Sequence, residues 1–144
     1  MEKSKVYFTK DISASSLIKM FDVLGKKLNG KVGVKISTGE KGNNNYLNPK
    51  LIKDLVSYVS GTIVECNTAY AGNRNTTALH LETIKEHGFL DIADVDIMDS
   101  DGDMKIPVNN GFHLKYNYVG SHLKNYDSIL MLSHFKGHPM GGFG

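Results

Sequence analysis

Two histidines and a lysine near the carboxyl terminus have residue types and a spacing that could do chemistry. His134, Lys136 and His138 follow residues 129–132, an apolar run that predicts a buried strand. Open α/β sheets bind ligands at strand ends, so His134 and His138 are candidate metal ligands or acid–base groups. The intervening glycine and the proline after His138 argue against a helix that would align the two rings. A solvated loop, or anion binding by Lys136 and backbone N–H groups, are the alternatives that these residues leave open.

Four further polar side chains follow other predicted strands. Lys35 and Thr38 lie where an apolar strand opens into a polar loop, and Asn67 follows the next apolar strand along the chain. Arg74 lies in a loop just ahead of a helix start, where free backbone N–H groups also favour a negative charge. With Lys136, these residues predict a site for a small anionic ligand. Local turn hydrogen bonds and a surface ion pair are the structural alternatives.

The single cysteine limits the cofactors that this chain can hold. A cysteine-ligated iron–sulfur cluster needs about four thiolates, so Cys66 alone cannot bind one, and a divalent metal on the histidines is the remaining candidate. A lone intracellular cysteine is more often a small buried residue than a nucleophile. The acidic run 99–103 does not match a calcium loop, because fitting its glycine puts Ile97 and Val108 where carboxylates are required.

The elements that must position these groups alternate along the chain. We predict strands at residues 5–8, 32–36 and 62–65, each followed by a helix. The first helix is capped by Ser13 or Ser15 and ends at residues 29–30. The second begins with Asn48 and Pro49, and the third spans residues 76–87. Alternation of this kind predicts an α/β fold, with a mostly parallel sheet and helical crossovers. Residues 93–98 and 104–108 then flank a turn at 100–102, which predicts a β-hairpin excursion. A strand at 113–119, a helical turn at 121–126 and a strand at 128–132 complete the single α/β domain, residues 1–144.

Composition excludes several classes of partner. The chain has 17 basic and 15 acidic residues and a net charge of +2, too little to predict nucleic-acid binding. No run is long and apolar enough for a transmembrane span or a signal core, so we expect no membrane partner. The one cysteine favours a reducing, cytoplasmic location.

The chain resembles the family catalogued as domain of unknown function 362. The resemblance rests on four segments in order, namely residues 34–40 (VKISTGE), 62–70 (TIVECNTAY), 73–76 (NRNT) and 133–138 (SHFKGH) with the glycine tail. It implies a bacterial or archaeal protein and a family domain longer than this chain, of which residues 1–144 are the amino-terminal part. Longer members resemble iron–sulfur proteins, which implies a 4Fe–4S cluster outside these residues. The candidates carried over are Lys35, Thr38, Asn67, Arg74, His134, Lys136 and His138.

Three functions follow as hypotheses from these features. The first is a ligand- or metal-binding domain with a cleft at the carboxyl ends of the strands. The second is one half of a metal- or redox-dependent enzyme completed by a missing carboxyl-terminal half, because the tail is also similar to a short segment of the nickel-dependent lactate racemase family. The third is an interaction module that self-associates as a homo-oligomer through an exposed sheet edge.

Overall fold

A four-stranded parallel sheet with helical crossovers forms the frame of the protein. The computed structural model describes residues 3–143. The elements in chain order are α1 (Ala14–Val23), β1 (Val32–Lys35), α2 (Pro49–Tyr58), β2 (Gly61–Glu65), α3 (Thr77–Glu86), β3 (Val95–Ile97), β4 (Asp103–Pro107), β5 (Tyr116–Gly120), β6 (Ser128–Met131), β7 (Gly137–His138) and β8 (Gly142–Phe143), with short 3₁₀ helices at Phe89–Asp91 and Ser121–Asn125. The α/β class predicted from the sequence is therefore confirmed.

Each α-helix begins at a side-chain cap, and the caps of α1 and α2 are among those that the sequence predicts. The side-chain oxygens of Ser13, Asn48 and Thr76 accept hydrogen bonds from backbone N–H groups in the first turns of α1, α2 and α3. The predicted end of α1 at residues 29–30 is wrong. The helix stops at Val23, because the chain turns at Gly25 with a φ of +61°.

The sheet has the order β3-β2-β1-β6, and every pair is parallel. α2 connects β1 to β2 and α3 connects β2 to β3, so both crossovers run toward the same edge. Their apolar residues pack on one face of the sheet, and Leu17 of α1 adds to this layer. The buried core consists of Val32, Val34, Ile36, Ile52, Val56, Ile63, Ile84, Phe89 and Ile97.

The chain returns from β3 to the opposite edge of the sheet through Tyr126. A Cβ on Gly33 would lie 3.2 Å from the Tyr126 ring and 2.8 Å from Ile129, so the absence of a side chain there lets the ring lie over β1. The Tyr126 hydroxyl donates to Asp96 Oδ2 of β3 at 2.7 Å. β6 then pairs with β1 as the outer strand of the sheet, and Met131 is 64% exposed. It is thus a partly exposed edge strand rather than the buried strand that its apolar run predicts.

Two further predictions about strands are wrong. Residues 5–8 form no strand, and with Val6 87% and Phe8 81% exposed they lack the partner strand that would bury them. The predicted β-hairpin excursion is confirmed, but the strand pairing predicted across residues 100–102 is wrong. β3 joins the main sheet beside β2, while β4 pairs antiparallel with β5. The turn at 100–102 instead directs the chain out of the sheet into this β4–β5 hairpin. The helical turn before β6 is confirmed as the 3₁₀ helix Ser121–Asn125.

Across residues 3–143, no helix combines the length and the apolar character needed to cross a membrane.

Candidate functional site

Glu65, the last residue of β2, is the centre of a polar network at the carboxyl edge of the sheet. Its side chain is buried and takes hydrogen bonds on both oxygens. Oε1 accepts from the Thr38 N–H at 2.8 Å, the Thr38 hydroxyl at 3.2 Å and Arg74 Nη1 at 3.2 Å. Oε2 accepts from Lys35 Nζ at 3.1 Å and the Cys66 N–H at 3.3 Å. One carboxylate therefore joins the ends of β1 and β2 to the loop that follows β2.

Arg74 connects this carboxylate to a second one. Its Nε donates to Glu40 Oε1 at 3.0 Å and its Nη2 also pairs with Glu40. Nη2 lies 3.2 Å from the Tyr70 hydroxyl, which in turn donates to Glu40 at 3.0 Å. Hydrogen bonding from Arg74 lowers the pKa of the Glu40 carboxyl. The guanidinium is thus held between two carboxylates and fixes the loops after β1 and β2 against each other.

His80 of α3 is fully buried beneath the network. Burial lowers the pKa of its ring, because the charged form would lose its water there. Nε2 lies 3.2 Å from the Thr38 hydroxyl and Nδ1 lies 3.3 Å from Asn67 Oδ1. Asn67 Oδ1 only accepts, so Nδ1 donates to it. In the neutral ring Nε2 is then an acceptor, and it shares the one Thr38 hydroxyl proton with Glu65 Oε1.

Lys35, Thr38, Glu40, Glu65, Asn67, Tyr70, Arg74 and His80 are referred to below as the carboxyl-edge network. Its charges balance, because the Lys35 and Arg74 cations face the Glu40 and Glu65 carboxylates. Burial in such a network is tolerated because each charge has a partner. An added anion would therefore have to share a cation that a carboxylate already holds.

Four of the seven residues that the sequence singles out meet in this network. Lys35, Thr38, Asn67 and Arg74 lie within one chain of hydrogen bonds around Glu65. The structure brings them together because β1 and β2 are adjacent and parallel, which puts both carboxyl ends at one edge. Their role in binding an anion stays a prediction.

The other three candidates lie in the tail after β6. His134 and Lys136 are exposed, and His138 is half-buried. The His138 Nδ1 accepts hydrogen bonds from the N–H groups of Met140 at 3.2 Å and Gly141 at 3.0 Å, which closes the small β7–β8 turn. Within residues 3–143, no three His, Cys, Asp or Glu side chains are grouped as a metal ion would require. A divalent metal on His134 and His138 stays a prediction of the sequence.

A cleft lined by Cys66 lies beside the network, whose Glu65 accepts from the Cys66 N–H. Its volume is about 400 Å³, and we call it the Cys66 cleft. Burial raises the pKa of the Cys66 thiol, and the nearby Asp99 carboxylate raises it further. Cys66 is therefore a neutral thiol in the wall of the cleft rather than an activated nucleophile. The lining residues are Cys66, Met98, Asp99, Asp103, Tyr118, Val119, Gly120 and Leu123.

Sequence reasoning missed the groups that organise the network. Glu65 could have been predicted as a site residue, because a carboxylate directly after the buried Ile63 and Val64 needs hydrogen-bond donors at the end of the strand. His80 gave a weaker signal, since only the packing of α3 decides that its side chain is buried. His87 was also missed, and it donates from Nδ1 to the Thr38 carbonyl at 2.7 Å.

An open parallel sheet with helical crossovers and a polar network at its carboxyl edge defines an α/β protein. The family model described as "Domain of unknown function (DUF362)" matches residues 32–144. The chain therefore belongs to this family, as the sequence resemblance predicts. Comparisons with curated proteins and with solved structures gave no match.

Proposed function

We propose that this protein is a small-molecule-binding domain. Its ligand would occupy the Cys66 cleft with an apolar body and direct an anionic group at Lys35. The observation that carries this proposal is the shared Glu65 Oε2, which accepts from both Lys35 Nζ and the Cys66 N–H. The ammonium and the cleft wall therefore lie within about two hydrogen-bond lengths of each other.

Lys35 and Arg74 have different roles in this proposal. The Lys35 side chain keeps 28% of its surface exposed, whereas the Arg74 side chain keeps 9% and contacts two carboxylates. An incoming carboxylate or phosphate can thus reach the ammonium without dismantling the ion pairs of Arg74. We assign ligand contact to Lys35 and positioning of the loops to Arg74, with Thr38 and Asn67 as internal partners.

The remaining walls of the cleft favour an apolar ligand body. Met98, Val119 and Leu123 supply aliphatic surface and Tyr118 supplies an aromatic ring. A mostly apolar cleft with a few polar groups that fix orientation is typical of small-molecule sites. Asp99, also in the wall, disfavours a second negative charge, so the proposed ligand carries one anionic end.

Cys66 provides a direct readout of occupancy, because it is the only cysteine of the chain. A ligand in the cleft covers the thiol and slows its alkylation by iodoacetamide. We would compare benzoate, benzamide and benzamidine, which share one ring and differ in carrying an anionic, a neutral or a cationic group. Benzoate should slow alkylation most and benzamidine least. Equal protection by all three, or by none of them, would contradict the proposal.

Two charge variants make the test specific. Lys35→Met should weaken benzoate binding about tenfold through the loss of a charged contact, and Lys35→Arg should retain most of it. Asp99→Asn keeps an oxygen that can accept from the Asn67 N–H, a bond of 2.9 Å in this structure. It removes the charge that repels an anion, so it should tighten benzoate binding. Loss of benzamidine binding in Asp99→Asn together with no effect of Lys35→Met on benzoate would indicate a cation site instead.

A further inference from the structure

His87, at the end of α3, has one ring nitrogen whose hydrogen-bonding role is set by its partner. Its Nδ1 lies 2.7 Å from the carbonyl oxygen of Thr38. A carbonyl only accepts, so Nδ1 carries the proton and donates it. In the neutral ring Nε2 is therefore an acceptor, and which nitrogen of a histidine is free is set in this way by the partner of the other.

The ring is also held in place by packing. The Tyr46 ring stacks on His87 with centroids 4.2 Å apart and planes 13° apart, and Tyr46 also contacts Phe89 of the core. Gly39 lies against the Tyr46 ring, where an added Cβ would approach within 2.5 Å, and its φ of +81° favours glycine. The glycine thus allows the close approach that keeps Tyr46 against the imidazole.

The free nitrogen of His87 has no partner among residues 3–143. No side-chain nitrogen or oxygen in this part of the chain is both buried and without a hydrogen bond, so Nε2 must reach solvent. His87 lines a small pocket of about 270 Å³ with Asn44, Tyr46, Asn48 and Pro49. We call it the His87 pocket. It lies on the α2 side of the carboxyl edge and shares no lining residue with the Cys66 cleft.

None of the five lining residues carries a fixed charge. Asn48 uses its Oδ1 to accept from the Lys50 N–H at 2.9 Å, which leaves its amide NH₂ as a donor. The Asn44 amide and the Tyr46 hydroxyl can each donate and accept. A pocket that offers an imidazole acceptor, two amides and a phenol matches a ligand rich in hydroxyl groups and without charge.

We propose that the His87 pocket binds a neutral polyhydroxylated compound, a monosaccharide or polyol, with Nε2 accepting a ligand hydroxyl. This site is independent of the anionic ligand proposed for the Cys66 cleft. Nitrogen-15 NMR of the histidine rings tests it, because a hydrogen bond accepted by Nε2 shifts the resonance of that nitrogen. Glucose, myo-inositol and glycerol serve as neutral probes, and glucuronate and glucosamine serve as anionic and cationic analogues of glucose.

His87→Asn is the discriminating variant. The asparagine amide NH₂ takes the place of Nδ1 and can still donate to the Thr38 carbonyl, while nothing replaces Nε2. We expect the variant to unfold near the wild-type urea concentration and to bind glucose or myo-inositol about tenfold more weakly. His87→Ala removes both nitrogens and measures the contribution of the Thr38 contact to stability.

The outcomes separate the proposal from its rivals. A shift of the His87 Nε2 resonance by a neutral probe, lost in His87→Asn, supports a polyol site. The absence of a shift with all three neutral probes would overturn it, as would tighter binding of glucuronate or glucosamine than of glucose. Alkylation of Cys66 should not change on addition of these probes, so failure of one site is distinguishable from failure of the other.

Discussion

Replacing Glu65 by glutamine tests whether the carboxyl-edge network is built around this one charge. Glu65→Gln keeps the shape of the side chain, so its effect reports on charge and hydrogen bonding rather than on packing. An amide oxygen placed at Oε1 still accepts from Thr38 and Arg74. The amide NH₂ at Oε2 then faces two donors, Lys35 Nζ and the Cys66 N–H. Two hydrogen bonds to a charged group are thereby lost and replaced by donor–donor contacts.

The expected cost follows from these contacts. A hydrogen bond to a charged group contributes about 1.5–3 kcal/mol. The net cost is smaller than the sum of two such bonds, because the partly exposed Lys35 ammonium can hydrogen-bond to water in the variant and Arg74 keeps its ion pair with Glu40. We expect a loss of about 3 kcal/mol in the free energy of unfolding, which in a domain of this size lowers the melting temperature by roughly 6–12 °C. Urea unfolding followed by circular dichroism measures it.

Glu40→Gln is the matched control for this experiment. It removes a carboxylate from the same guanidinium, but the Glu40 side chain is 37% exposed. Exposed ion pairs contribute little, so this variant should lose about 1 kcal/mol or less. A Glu65→Gln variant within about 0.5 kcal/mol of the wild type would refute the central role of Glu65. An equal cost in both variants would refute the distinction between a buried and an exposed carboxylate.

Three further predictions concern other parts of the molecule. Thr38→Val removes the buried network hydroxyl while keeping its backbone N–H, and should cost about 1–3 kcal/mol in urea unfolding, whereas Thr38→Ser should cost less. His122 donates from its two ring nitrogens to Asp96 at 2.7 Å and Asp101 at 2.8 Å, which raises its pKa. Its contribution is complete below the unfolded pKa of about 6.5 and is lost as the pH rises through the higher folded value, so the difference in stability between wild type and His122→Gln should shrink as the pH is raised above about 6.5. Asn48→Ala removes the cap of α2 and should cost about 1 kcal/mol, with Asn48→Asp as the control that retains an acceptor.

The helices and the central strands could be predicted from the sequence, because the residue patterns that indicate them are local. Ser13, Asn48 and Thr76 precede apolar residues at helical spacing, and such caps act within one turn. The pairing of β4 with β5 could not be predicted, since a loop separates the two strands and their sequence patterns do not differ from those of strands in the main sheet. The same limit applies to β3, whose partner β2 is distant in sequence.

The candidate site was partly accessible for a related reason. Lys35, Thr38 and Arg74 could be singled out because polar groups after parallel strands converge at one edge whatever the strand order. Glu65 was passed over, although a carboxylate after an apolar strand must find donors. The partners that neutralise it come from β1 and from the loop before α3, and only the folded chain shows that they reach it.

Thr38 connects the two proposed ligand sites through its hydrogen bonds. Its N–H and hydroxyl donate to Glu65, while its carbonyl accepts from His87. One peptide segment therefore contacts both the carboxylate beside the Cys66 cleft and the imidazole of the His87 pocket. A ligand that leaves this segment in place at one site leaves the affinity of the other unchanged, whereas one that moved it would change both affinities by the same free energy, because linkage between two sites is reciprocal. The balanced charges around Glu65 keep that segment in a single arrangement without ligand, which is what two preformed sites on adjacent loops require.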